Sequence, residues 1–234
     1  MRSGLVGVQT DPQLAWFVLR ASGLVLLVVY TISTALGIAS RAGQAGRWVP
    51  RFVSNDLHRR ISLFSMALLF AHVATAVLDN YVVITWTDAV VPFVGTYRPR
   101  WLGLGTLALD ILLAVVITSL LRHRIGHRTW LVIHYGVYAA WPLMVLHALG
   151  TGTDARRPSV LIVTLGCVVA VLLAVVARLL DAPGRLGAAR LAAMVSLPLL
   201  LIGLVLWTRQ GPLAAGWSHR AGTPLPSSST GSAK

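Results

Sequence analysis

The sequence predicts an all-α fold, a bundle of six transmembrane helices. Three observations predict it. Hydrophobic residues make up 56% of the 234-residue chain and charged residues 12%, which leaves too little polar surface to cover a soluble domain. The apolar residues gather in six runs, roughly 14–38, 61–78, 102–121, 130–149, 160–180 and 191–207, and each approaches the ~20 residues that cross a hydrocarbon core. Backbone groups in lipid must be satisfied within the segment, so such runs are helices.

The first run carries Arg20 near its start, where a long side chain can snorkel to the surface. No basic stretch and no Ala-x-Ala site accompany it, so it reads as a retained helix and not a cleaved signal peptide. His58 sits at the start of the second helix, and His72 follows inside the run. After it comes a long connection, 79–100, apolar and aromatic between Tyr81 and Tyr97 with Pro92 and Gly95. It is expected to lie along the interface and cap the bundle below it. The third run holds Asp110, the one acid well inside a segment.

The fourth run contains His134, His147 and Pro142, with Tyr135, Tyr138 and Trp141 read as core packing. The fifth holds the single cysteine, Cys167, read as a small packing residue. One cysteine excludes an intrachain disulfide and a cysteine-held cluster. The sixth run is the shortest and includes Pro198. Trp101, Trp130, Trp207 and Trp217 fall near segment ends, as interfacial anchors do. Residues 1–210 thus form one membrane domain with a core at 56–154. Residues 211–234, rich in Pro, Ser, Gly and Thr, read as a disordered tail.

The formal net charge is +13. The basic residues lie between or beside the apolar runs, where they orient the chain and meet anionic lipid, so nucleic-acid binding is not expected. Arg41, Arg47, Arg51, Arg59 and Arg60, then Arg122, Arg124 and Arg128, then Arg178, Arg185 and Arg190 crowd three short connections. Arg2, Arg98, Arg100, Arg156, Arg157, Arg209, Arg220 and Lys234 are spread thinly over the other side. The positive-inside rule makes the crowded side cytoplasmic and puts both termini outside.

Ionisable residues inside membrane helices are functional candidates. His58 and His72 are 14 residues apart. That spacing advances about 1400°, within about 40° of four whole turns, so the two share a face about 21 Å apart. His134 and His147 are 13 apart, which leaves them about 140° from sharing a face on an ideal helix. Pro142 lies between them and is the expected point of rewinding. The second and fourth helices run the same way. His58 and His134 therefore lie at the cytoplasmic level, and His72 and His147 at the outer level.

Two imidazoles with no carboxylate or thiolate nearby in sequence do not suit zinc. They suit six-coordinate haem iron, one ring on each face, a site that favours electron transfer. Propionates would find Arg59 and Arg60 at the inner level and Arg98 and Arg100 at the outer level, although lipid contact explains these arginines equally well. His123 and His127 read as a solvated loop, and His219 is assigned nothing. The competing class is a non-redox transporter or scaffold with structural histidines, for which Asp110 is thin support.

The stretch 58–154 resembles the ferric-reductase-like transmembrane domain. The resemblance is carried by His58 and His72, by "GLGTLALDILLAVVITSLLRHRIGHRTWLVIHY" at 103–135, and by His147 before "ALGTGTD". Thr118-Ser119, Leu121-Arg122, Gly126, Trp130 and His134 are its most specific part. It implies two haem b groups, one held by His58 with His134 and one by His72 with His147. No dinucleotide-type glycine fingerprint comes after the sixth run. The resemblance therefore implies electrons from a separate flavoprotein or a membrane quinol, passed to an extracytoplasmic redox partner or ferric-type acceptor. A self-sufficient ferric reductase at the outer face is the third reading.

Overall fold

The computed structural model describes residues 12–42, 50–79, 82–181 and 187–224. The basic residues Arg2, Arg47, Arg185 and Lys234, and residues 225–234 of the tail, lie outside the described residues. Among the described residues there is no strand. The helices are α1 (Pro12–Ala42), α2 (Arg51–Leu78), α3 (Trp86–Val90), α4 (Pro99–Leu120), α5 (Arg122–Ile125), α6 (His127–His134), α7 (Val137–Thr151), α8 (Pro158–Asp181), α9 (Gly187–Gln210) and α10 (Trp217–Arg220).

Five spans are long and apolar enough to cross a membrane: α1, α2, α4, the α6–α7 pair and α8. The sixth, α9, has a shorter apolar stretch at Met194–Gln210. Large apolar side chains face outward along the spans, among them Phe64 (60% exposed), Ile162 (70%) and Leu200 (68%). In water such a surface would drive association. Against lipid tails it is matched.

α1 is the central helix, packed against α2, α7 and α8, while α4 packs against α6 and α7. Lipid tails give helices little hydrophobic reason to associate, so close packing and polar contacts hold the bundle. On α1, the Thr31 and Ser40 hydroxyls donate to carbonyls one turn back. Ser40 pairs with Ser54 of α2 at 2.6 Å, and Ser33 with Ser62 at 2.7 Å. The Trp141 indole of α7 donates to Thr31 Oγ1 at 3.0 Å. Tyr30 donates to Met66 Sδ within a core of Leu26, Met66, Ala108, Leu112 and Ala140. Cys167 is buried in a second core with Leu27, Val145 and Leu149.

The connection before α4 packs against the first turns of that helix. α3 begins with a capping box between Thr85 and Asp88, and Thr106 of α4 donates to the Asp88 carbonyl at 2.8 Å. Phe93 then presses on α4 so closely that a Cβ at Gly103 would lie 2.3 Å from its ring.

Two expectations need correction. The fourth span is broken, but not at Pro142, which sits inside α7. The break is at Tyr135–Gly136, where Gly136 N bonds to Ile133 O and Ala139 N to Gly136 O, three residues apart. Three-per-turn winding advances each residue about 20° further than an α-helix does, in the direction that closes the histidine gap. The tail differs too. From Gly211 as far as 224 it is folded across the end of the bundle where α4 begins, with α10 inside it. Trp217 packs against Trp101 with the rings tilted by 50° and donates to the Gly150 carbonyl, and Arg98 N bonds to Gly222 O. The low-complexity composition concealed these aromatic and backbone contacts.

Candidate functional site

The two helices that carry the histidines, α2 and the α6–α7 pair, face one another without close packing. His58 and His134 meet at one level, with ring centroids 6.3 Å apart and planes at 76°. His72 and His147 lie within electrostatic range at the other. Two metal–nitrogen bonds of about 2 Å, with an imidazole radius of about 1.2 Å at each end, span about 6.4 Å. The His58–His134 centroid distance is close to that span. Among the described residues no group of three or more His, Cys, Asp or Glu gathers to hold a metal, so each level offers a pair.

Three of the four rings are anchored through Nδ1. His58 Nδ1 lies 2.9 Å from the Ser33 carbonyl and 3.2 Å from the Ser33 hydroxyl. His147 Nδ1 lies 2.9 Å from the Trp101 carbonyl. A carbonyl only accepts, so Nδ1 carries the proton in both. His72 Nδ1 lies 2.9 Å from Ser22 Oγ. That hydroxyl donates its own proton to the Leu19 carbonyl, so it too accepts from the ring. Nε2 then keeps its lone pair at all three, the tautomer that a metal ligand needs, and the anchor fixes ring orientation and raises basicity.

Sequence reasoning missed the glycines that seat these rings. A Cβ at Gly23 would lie 3.1 Å from His72 Cε1, at Gly37 3.3 Å from His58 Cε1, and at Gly105 2.4 Å from His147 Nδ1. The signal was present. Gly23 and Gly37 are separated by the same 14 residues as the two histidines they face, as two antiparallel helices in register require.

The arginines divide. Arg98 is 2% exposed and begins α4 with a left-handed backbone, φ 42°. Its guanidinium donates to the carbonyls of Gly150 (2.9 Å) and Thr151 (3.1 Å) and to Thr223 Oγ1 (2.8 Å). A cation suits the last carbonyls of α7. Burial pushes its pKa below the ordinary value, with Tyr97 opposing and Arg20 reinforcing the shift. Arg98 is thus a clasp between α7, α4 and the tail, which differs from the propionate role expected of it. Arg59, Arg60 and Arg100 are exposed, and Arg60 pairs with Asp56. Arg20, three residues before Gly23, pairs with Asp154 at 2.9 Å, and Asp154 also holds Arg157. It is a cation near the His72–His147 level that sequence reasoning left as a snorkelling residue.

A family model described as "Ferric reductase like transmembrane component" matches residues 20–145, more than half of the chain. The matched span takes in His58, His72 and His134, the Ser22 and Ser33 anchors and Gly23, Gly37 and Gly105. It stops two residues short of His147. No curated protein and no solved structure matches the chain significantly.

Proposed function

Because the chain belongs to the ferric-reductase-like transmembrane component family, we propose that it is an electron-transfer subunit carrying two b-type haems. One is held by His58 and His134, the other by His72 and His147. The observation that carries this reading is the Nδ1 anchoring, which turns an Nε2 lone pair into a prepared ligand at His58, His72 and His147.

Haem supplies one-electron ferric–ferrous chemistry, and with both faces ligated it favours electron transfer over oxygen binding. The chain's residues do the rest. Ser33, Ser22 and Trp101 hold the Nδ1 protons and fix the rings. The core of Leu26, Tyr30, Met66, Leu112 and Ala140 fills the bundle with apolar packing. At the outer level Arg20 and Arg100 are the cations proposed for propionates, and Arg59 and Arg60 at the other.

By the positive-inside rule the His58–His134 level is cytoplasmic and both termini lie outside the cell membrane. Electrons would come from a flavoprotein or a membrane quinol and leave for an extracytoplasmic redox protein or ferric-type acceptor. The test is a dithionite-minus-air spectrum and a pyridine haemochrome assay on the chain purified in detergent from haem-supplied cells. Two haems per chain, falling to one in His72→Ala, are expected. A colourless protein sinks the reading.

A further inference from the structure

One ionisable side chain within the spans has no part in the histidine pairs. Asp110 lies at the middle of the 22 residues of α4, so about 15 Å of helix separates it from either end. Its side chain is too short to reach a head group from there, as a long arginine can. Among the described residues none forms a hydrogen bond or an ion pair with Asp110. Ionisable groups at that depth are costly, and they face the bundle interior, line a water-filled cavity or pair with one another.

α4 turns Asp110 away from the bundle interior. Ala108 and Leu112 are buried in the core with residues of α1, α2 and α7. Asp110 is two residues from each, which points it about 160° away from both on an α-helix. Leu107, Ala114 and Ile117 share its outer face, and Ile117 is 52% exposed. These four positions are spaced 3, 4 and 3 residues apart, the heptad seam along which two helices pack side by side. Gly103, the next position in that series, is covered by Phe93. The open part of the seam thus runs from Leu107 toward the basic end. Ala114, one turn from Asp110, is small and exposed, and small residues let a second backbone come close in a membrane.

We propose that this seam is the interface of a homodimer, in which α4 of one protomer packs against α4 of its partner and the two Asp110 carboxyls hydrogen-bond to each other. The proposal does not depend on the haem reading. Symmetry and chemistry select a second copy as the occupant. Two chains inserted the same way and related by a two-fold axis along the membrane normal carry position 110 at one depth, on matching surfaces. Carboxyls side by side share a proton, so that one donates where the other accepts. A foreign helix would need a cation placed at the same depth, whereas a second copy supplies the matching group by symmetry.

The test uses the purified full chain in liposomes. Dimerisation is followed by energy transfer between chains labelled at the C-terminus, over a series of lipid dilutions. Ala114→Cys should form a disulfide-linked dimer on mild oxidation, and Ile162→Cys, on the lipid face of α8, should not. Asp110→Leu should weaken dimerisation at least tenfold, the worth of one to two interhelical hydrogen bonds. Asp110→Asn should hold it within about threefold, because two amides also pair with each other. A cationic partner would be lost with Asn as with Leu. A chain that is monomeric at every dilution overturns the proposal, and so does an unchanged dimer in Asp110→Leu or a dimer lost in Asp110→Asn. Thermal unfolding in detergent reports whether each variant is folded. If Asp110→Leu fails to fold, Ala114→Leu decides, since its bulk should part the two helices and an unchanged dimer there overturns the interface. In cell membranes, a cross-link from Ala114→Cys to a chain of different mass would assign the seam to another protein and overturn the homodimer.

Discussion

His147 is seated against Gly105 with no room to spare. A Cβ there would come within 2.4 Å of Nδ1, the atom that bonds to the Trp101 carbonyl. The ring would have to leave its anchor, and with it the orientation of Nε2. Gly105→Ala is therefore expected to cut haem content from two to about one per chain. At Gly37 the corresponding distance to His58 is 3.3 Å, a gap that a slight ring shift accommodates, so Gly37→Ala should keep both haems. The pyridine haemochrome assay measures each. Full haem in Gly105→Ala would mean that His147 is not held as described. The histidines themselves were legible because an imidazole in an apolar run stands out. Their anchors were not, because a carbonyl carries no residue signature. Ser33 and Trp101 act through backbone oxygens, and Ser22 gains meaning only when α1 is laid beside α2.

At the scale of the element, length and apolarity defined the spans to within about a turn of their ends, except α2, which starts at Arg51, well before the run at 61–78, because its first turns are polar and basic. The winding between His134 and His147 was not legible. The 13-residue spacing correctly demanded a disturbance, and proline was the visible suspect. In lipid, however, a proline can remain within a continuous helix when the freed carbonyl is accommodated locally, as Pro142 is within α7. Gly136 makes the change. A Cβ there would lie 2.9 Å from the Ile133 carbonyl and 3.0 Å from Ile111 of α4. Gly136→Ala should therefore push α6 off α4, costing roughly 1–3 kcal/mol of the kind seen for overpacking, and disturb the ligation of His134. Pro142→Ala should leave haem content and spectrum unchanged. Optical spectra and thermal unfolding of the two variants in detergent separate these outcomes. The reverse pattern would return the rewinding to Pro142.

At the scale of the whole molecule the question is how many times the chain crosses the bilayer. The sixth apolar stretch, Met194–Gln210, is short for a span, at the lower limit of about 17 residues. Hydropathy alone leaves its crossing open, and composition hid the fold of the tail. The contacts of that tail decide the matter. α8 starts at the end of the bundle where α7 finishes and runs to the other end at Asp181. Yet Trp217 bonds to Gly150 at the last turn of α7, and Gly222 bonds to Arg98 at the start of α4. The chain can reach those partners only by returning, so α9 must traverse the same thickness as its neighbours. Six crossings would put residues 12 and 224 on the same side. On the proposed orientation, in which the Arg122–Arg128 connection is cytoplasmic, alkaline phosphatase fused after residue 224 is expected to be active. The same enzyme fused after Ile125 should be inactive. Activity in the second fusion and not the first would invert the protein in the membrane. Equal behaviour of the two fusions would break the even count of crossings that the tail contacts require.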